Sequence, residues 1–227
     1  MPVNLAIVDD HALFSKALKT YLSEQKNINV VTIASDMFDL LNKLRGVSVD
    51  VLLMDLFMPG LSGADAVKAI RTAYPNIKIL VLSGSTDMDL VSDLLDAGIH
   101  GCISKSDEPE ELLQAIQAVS ENRICRNRLF TEALYWNKQN TVKTYSDNSL
   151  ASLSEREKRI LQLLWEEKSN KEMADELFLG IRTIERIRQE MKEKTASKST
   201  VGLIKFAIQK KIIKGLALTQ LLSHFSS

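Results

Sequence analysis

Along the first half of the chain, apolar residues fall into short unbroken runs, separated by longer stretches in which they recur every three or four positions. The runs Leu5–Val8, Val51–Met54 and Ile79–Leu82 have strand length, and the stretches between them have helical period. The pattern predicts strands over residues 3–8, 28–34, 50–55, 77–83 and 100–104, and helices over 12–25, 36–45, 63–73, 87–97 and 108–121. Strands that are apolar throughout and alternate with amphipathic helices belong in a parallel sheet covered on both faces. The predicted class is therefore α/β, a (βα)5 doubly wound parallel sheet. Gly46, Gly98, Gly101 and Pro75 punctuate its loops. Pro109 falls in the first turn of the fifth helix, where its missing N–H costs nothing.

Residues 122–151 break the alternation. Arg123, Arg126 and Arg128 come first, and Leu129–Trp136 can form a short helix anchored by Phe130, Leu134, Tyr135 and Trp136. That helix either packs on its own domain or offers a contact to another domain or subunit. Thr141–Ser152 is rich in Ser, Thr and Asn and reads as a flexible linker.

Beyond it the period is helical throughout, as in an all-α four-helix unit. Ser154 and Glu157 form a capping-box pair ahead of Ile160, Leu161, Leu163, Leu164 and Trp165. A second helix follows Ser169-Asn170-Lys171-Glu172, with Met173, Ala174 and Leu177 inward. After a turn at Phe178–Gly180, a third helix runs from about Arg182 to Lys194. Its inward stripe is Ile184, Ile187 or Arg188, and Met191; its outward face carries Arg182, Glu185, Arg186, Gln189, Lys192 and Glu193. A fourth helix over about 199–213 carries Val201, Leu203, Ile204, Ala207, Ile208 and Ile212. Two short helices joined by a tight turn, the second bearing Arg, Gln and Lys outward, suit a helix-turn-helix that lays its second helix in the major groove of double-stranded DNA. Arg can donate to guanine edges and Gln to adenine, while Lys and Arg also hold phosphates. The candidate contacts are Lys171, Arg182, Thr183, Arg186, Gln189 and Lys192. The organisation reads as domains over residues 1–121 and 152–227 joined by a linker over 122–151.

Charge sharpens this division. Equal totals of 29 basic and 29 acidic residues conceal an acidic first domain, with 9 Lys+Arg against 17 Asp+Glu, net −8, and a basic last segment from residue 151, with 15 against 10, net +5. An acidic half joined to a basic half fits a regulator joined to a nucleic-acid binder. No apolar run reaches the roughly 18–20 residues of a membrane span, and Met1-Pro2-Val3-Asn4 lacks the basic start of a signal peptide. Two cysteines, Cys102 and Cys125, are too few for a disulfide framework or a zinc site, and a reducing cytoplasm fits. His11, His100 and His224 are too scattered for a zinc site or a catalytic triad; His11, next to the acid pair, either tunes the pocket or is a polar surface residue at the start of the first helix.

The chemistry gathers at the strand ends. Asp9 and Asp10 follow the first strand, Asp55 ends the third, Ser83 ends the fourth and Lys105 follows the fifth. In a parallel sheet those carboxyl ends share one edge, where ligands bind. Crowded carboxylates suit Mg2+, which prefers oxygen ligands, and a carboxylate can act as a nucleophile toward phosphorus. A lysine there neutralises transferred phosphoryl oxygens.

On Val8-Asp9-Asp10-His11, Met54-Asp55-Leu56-Phe57-Met58-Pro59-Gly60, Leu82-Ser83-Gly84 and Ser104-Lys105, residues 1–121 resemble the receiver domain of a two-component response regulator. The resemblance implies Asp55 as phosphoacceptor, Asp9, Asp10 and Asp55 as Mg2+ ligands, Ser83 as the switch hydroxyl and Lys105 as the phosphate-facing base. It also implies a sensor histidine kinase as partner, and no enzymatic activity beyond slow self-dephosphorylation. Leu153-Ser154-Glu155-Arg156-Glu157, Ser169-Asn170-Lys171-Glu172-Met173-Ala174 and Arg182-Thr183-Ile184-Glu185 are similar to the LuxR-type DNA-binding domain, and the pair of domains resembles the NarL/FixJ family of transcription regulators. That family acts as a homodimer on DNA when phosphorylated, and its fourth helix can pair subunits.

The sequence departs from this family in five places, one of them Thr195, which stands near the end of the third helix where the family usually has Leu. Cys102 stands where receivers carry a Tyr or Phe that turns inward on phosphorylation, and a buried strand cysteine is an inert small hydrophobe rather than a redox group. Phe57 cannot orient an attacking water. Gly180 removes a helix cap worth a few tenths of a kcal/mol. Glu185 puts a carboxylate near the groove-facing surface. The alternative function is a phosphorylation-independent DNA-binding regulator whose receiver is a constitutive dimerisation or ligand-sensing module.

Overall fold

The computed structural model describes residues 1–58, 63–84, 87–125, 127–140, 153–210 and 212–213, with side chains of residues 135–140 and 209 left out. Five strands, β1 (Val3–Val8), β2 (Ile28–Ala34), β3 (Val51–Asp55), β4 (Lys78–Ser83) and β5 (Gly101–Ser104), pair in parallel in the order β2-β1-β3-β4-β5. Helices α1 (Ala12–Ser23), α2 (Met37–Leu44), α3 (Gly63–Ala73), α4 (Met88–Ala97) and α5 (Pro109–Ser120) connect and follow them. Each boundary lies within two residues of the sequence expectation, because apolar runs and helical period switch at the same loops.

Alternation along the strands divides the core in two. Leu5, Ile7, Val51, Leu53, Leu80 and Leu82 face α1 and α5, through Leu18, Leu22, Leu112, Ala115, Ile116 and Val119. Ala6, Val8, Leu52, Met54, Ile79 and Val81 face the other way, toward residues of α2, α3 and α4. This second core continues without a break into the C-terminal helices.

Helix α6 (Arg128–Asn140) is longer than the sequence implies and packs on α4 and β5. Asn127 fixes its start: the side-chain amide donates to the Cys102 carbonyl at 2.6 Å, and Oδ1 accepts from the Phe130 N–H at 2.8 Å. Of the two sequence readings of this segment, the described part of α6 takes the first and packs on its own domain. The linker read over Thr141–Ser152 lies outside the described residues.

Helices α7 (Glu155–Trp165), α8 (Asn170–Leu177), α9 (Ile181–Lys194) and α10 (Thr200–Gln209) form the C-terminal unit. Ser154 and Ser169 each make a capping box, with Glu157 and Glu172. Gly180 gives α9 no side-chain cap, as its chemistry requires. Phe178 closes α8 in the left-handed region at φ 54°, which makes the turn before α9 tight. The fourth helix ends at Gln209 rather than near 213.

Candidate functional site

The sheet order places β1 and β3 side by side, so the turns after them bring Asp9, Asp10 and Asp55 together. Asp9 and Asp55 are buried at 2% and 1% exposure, while Asp10 is exposed. Lys105 is carried in by the turn after β5, where its backbone N–H donates to the Ser83 carbonyl at 2.8 Å. Its Nζ lies 2.7 Å from Asp9 Oδ2 and 3.1 Å from Asp55 Oδ2, and 4.7 Å from the centre of the Phe14 ring. Burial works against the lysine's charge, but the adjacent Asp9 and Asp55 carboxylates outweigh it and hold the pKa above its ordinary value. Ser83 is fully buried at the end of β4.

His11 combines both readings the sequence offered. It precedes α1 and is exposed, yet its ring joins the acids, with Nδ1 3.1 Å from Asp9 Oδ1 and 3.0 Å from Asp10 Oδ1. Its backbone N–H donates to Asp9 at 2.8 Å, which fixes the turn that aims the ring inward. One donor atom from each of Asp9, Asp10, His11 and Asp55 lies within 4.8 Å of the others, a cluster of the kind that binds Mg2+. Asp55 Oδ2 is buried and has the ion pair with Lys105 but no hydrogen bond of good geometry, so a ligating oxygen is available where a cation would need it. A cavity of about 260 Å³ above it is lined by His11, Phe14, Asp55, Phe57, Gly84 and Lys105, and has room for a phosphoryl group.

The candidate DNA contacts lie on α8 and α9. Arg182, Arg186 and Gln189 are exposed along one face, Thr183 is half-buried, and Lys171 is exposed on α8. Arg186 pairs with Glu190, and Gln189 donates to Glu193 at 2.9 Å. Lys192 stands apart from the other candidates. It is half-buried on the flank that faces the first domain. Arg188, left open as an alternative inward residue, is buried at 5% beside Ile187. Its guanidinium bonds Asn170 and donates to Thr200 Oγ1 at 2.7 Å and to the Asn122 carbonyl at 3.2 Å.

The last of these bonds reaches the residue just past the first domain, and contacts from two more residues cross to that domain itself. Arg71 of α3 donates to the Lys198 carbonyl at 2.8 Å. Lys205 of α10, 4% exposed, reaches Asp96 Oδ1 at 2.6 Å and Ser92 Oγ at 3.2 Å, both on α4. Gly98, which ends α4 at φ 107°, lies at this junction: a Cβ there would meet Lys198 at 3.4 Å and Arg71 at 3.5 Å. Sequence reasoning missed this interface. Its signal is a cation inside an apolar helical stripe, as at Arg188 and Lys205, which demands a specific polar partner.

His100 at the start of β5 belongs to the same region. Its Nδ1 accepts from the Ile79 N–H at 3.0 Å, which requires the neutral ring. Burial first, then Lys78, Arg71, Lys192 and Arg188, hold its pKa well below the ordinary value. The unfolded chain therefore takes up a proton near pH 6.5 that the folded chain refuses, and stability is lost as pH falls through that value. Melting curves between pH 7 and 5 are expected to shift down by several degrees, and His100→Asn, which keeps an acceptor, to remove part of that slope. An identical slope in the variant assigns the effect elsewhere. Burial also pushes the Cys102 thiol up to about 12, aided by Asp107, so it stays protonated and inert as expected.

Comparison with known proteins agrees with this geometry. Residues 5–117 match the response regulator receiver domain, and residues 151–207 match the luxR family of bacterial regulatory proteins. The oxygen regulatory protein NreC of Staphylococcus aureus is 32% identical over 216 residues, covering 93% of this chain and all of NreC. Among solved structures, the Salmonella typhimurium RcsB response regulator superposes with TM-score 0.55 at 26% identity, covering 90% of this chain and 97% of RcsB. The isolated REC domain of RcsB, solved with the phosphomimetic BeF3−, superposes with TM-score 0.55 at 27% identity over 59% of this chain and 99% of that domain. A strand-end acid cluster under a lysine, a helix-turn-helix unit and these full-length relatives together show that the chain belongs to the family of two-component response regulators with a LuxR-type DNA-binding domain, a family of transcription regulators.

Proposed function

We propose that this regulator is switched by phosphorylation of Asp55 from a partner histidine kinase, within domains bounded at residues 1–121 and 152–227. The observation that carries this reading is Asp55 itself, buried beneath a cavity with one oxygen lacking a hydrogen bond and a lysine at 3.1 Å. The Asp55 carboxylate attacks the phosphorus of the kinase's phosphohistidine as the N–P bond breaks. Lys105 swings its contact from carboxylate to phosphoryl oxygen, and Ser83 offers a hydroxyl to a second oxygen. Mg2+ held by Asp9, Asp10 and Asp55 would supply further positive charge against these oxygens. The chain itself is a phosphoryl acceptor rather than an enzyme, and works in the cytoplasm; no described helix is long and apolar enough to cross a membrane.

The interdomain contacts on α4 hold α10 against the receiver. Loss of those contacts on phosphorylation frees α10 to pair two subunits. Two α9 helices then enter major grooves about 34 Å apart, with Lys171, Arg182, Thr183, Arg186, Gln189 and Lys192 on DNA. Light scattering at fixed protein concentration tests the switch. Beryllofluoride with Mg2+ is expected to double the solution mass; an unchanged mass would favour a constitutive receiver.

Phe57, 52% exposed at the rim of the cavity, offers no polar atom to an attacking water. The aspartyl phosphate is therefore long-lived, and Phe57→Asn is expected to shorten its half-life several-fold in a phosphate-release assay. No change would place control of hydrolysis on other residues.

A further inference from the structure

The His11 ring stands among the acids in a way that a hydrogen bond alone does not explain. Its Nδ1 lies 3.1 Å from Asp9 Oδ1, 3.0 Å from Asp10 Oδ1 and 3.8 Å from Asp55 Oδ2. A ring nitrogen carries at most one hydrogen, so it cannot satisfy carboxylate oxygens from three residues at once. A cation at their centre can. Donors held about 2.1 Å from an octahedral ion stand about 3.0 Å from their nearest neighbours. Two of the three separations already match that spacing. The acids are prepared on both sides. Asp9 divides its oxygens: Oδ2 accepts from Lys105 at 2.7 Å, while Oδ1 faces His11. The His11 backbone N–H donates to that same Oδ1 at 2.8 Å, so ring and carboxylate are fixed relative to one another. Asp55 Oδ2 is buried, has no hydrogen bond of its own and opens on the cavity lined by His11, Phe57 and Lys105. It needs a partner that Lys105, shared with Asp9, supplies only in part.

We propose that His11 is a fourth ligand of the cation site, and that it makes the site prefer a first-row divalent transition ion over Mg2+. The inference rests on the reading of Asp9, Asp10 and Asp55 as a cation site. Mg2+ takes oxygen ligands and gives up its waters reluctantly, so it gains nothing from an imidazole. Transition ions accept nitrogen beside carboxylate, and their affinity for such a mixed set rises along the series from Mn2+ toward Cu2+. Nδ1 binds through its lone pair. Nε2 then keeps the ring's proton, on a side chain 66% exposed to solvent. The three carboxylates attract any divalent ion; the residue after the acid pair selects among them.

Isothermal titration calorimetry with Co2+ and with Mg2+, on the full chain and on His11→Ala, tests this. The variant keeps the fold, because the turn is made by a backbone N–H that alanine retains and the ring is exposed. Changing a group that merely supports a metal ligand costs about 10–100-fold in affinity, so loss of a direct ligand is expected to weaken Co2+ binding by at least about tenfold. Mg2+ affinity is expected to stay as it is. A ring that only shapes or charges the site would move both ions together. Cobalt X-ray absorption of the loaded parent is expected to show the outer-shell pattern of one imidazole, and His11→Ala to lack it. Absence of that pattern in the parent, or equal losses for the two ions, overturns the role of His11 and leaves the acids as a cation site. Asp10→Ala marks the deeper failure. If the parent binds neither ion, or if Asp10→Ala binds both as the parent does, the acids are not a cation site, and the reading beneath the inference falls with it.

Discussion

Asp55→Asn is expected to take up no phosphate. After incubation with acetyl phosphate and Mg2+, the parent gains the mass of one phosphoryl group, and the variant stays at its starting mass. The amide replaces a nucleophilic oxygen with a group that attacks phosphorus poorly, while keeping the shape of a side chain with 1% exposure. The substitution leaves the fold intact for an electrostatic reason. Asp9, Asp10 and Asp55 share one lysine and the His11 ring, so the free protein holds more negative than positive charge at this edge. Removing one carboxylate relieves repulsion, and the melting temperature is expected to hold or rise. The variant should also ignore beryllofluoride in light scattering. Phosphate uptake by Asp55→Asn would place the acceptor on another carboxylate, and Asp10, exposed at the same rim, would be the next to test.

The same residues show what a sequence discloses and what it withholds. Strand ends and caps are local events, so Asp55 at the end of β3 and Ser154 before α7 stand where the pattern places them. Convergence of Asp9, Asp55 and Lys105 was legible too, because a parallel sheet sends every carboxyl end to one edge. Period alone reports that a position is buried and stays silent about what buries it. Arg188 and Lys205 occupy inward helical positions and look like intrusions into an apolar stripe, yet each is satisfied by atoms more than ten residues away. His11 was legible only as a pair of alternatives, for a related reason. Its exposure follows from its place before α1, but the turn made by its own N–H to Asp9 directs the ring back over the acids.

Cys102 changes how the edge of the receiver can report its state. A thiol is too small to sweep the volume of an aromatic ring, and burial keeps this one protonated. The backbone at the same residue is engaged instead, since the Cys102 carbonyl accepts from Asn127, which in turn caps α6. Helix α6 packs on α4, and α4 holds Lys205. A shift of β5 or α4 therefore reaches α6 and α10 through contacts already made, with no rotating ring required.

The Lys205 contact yields the second large effect, and it is asymmetric. The Lys205 side chain is 5% exposed and that of its partner Asp96 is 44% exposed. Asp96→Ala leaves the ammonium inside the interface with only the Ser92 hydroxyl at 3.2 Å. Leaving one buried charge of a pair without its partner costs about 3–5 kcal/mol when no relaxation is open to it. Here relaxation is available, because separating α10 from α4 returns the ammonium to water. The cost is met by opening the domains rather than by unfolding either one. Asp96→Ala is therefore expected to be open without phosphate, with a larger hydrodynamic radius and DNA affinity raised toward that of the beryllofluoride-treated parent, about tenfold or more if even 1.4 kcal/mol goes into opening. Lys205→Met has the opposite character. It removes the buried charge, fills the same volume with an apolar chain, and leaves Asp96 half in solvent, where an unpaired carboxylate costs little. That variant should stay closed and respond less to beryllofluoride. If both substitutions opened the protein equally, the pair would be acting as a simple attraction. If neither did, α4 and α10 would be held together by their apolar contacts, and the switch would have to act there.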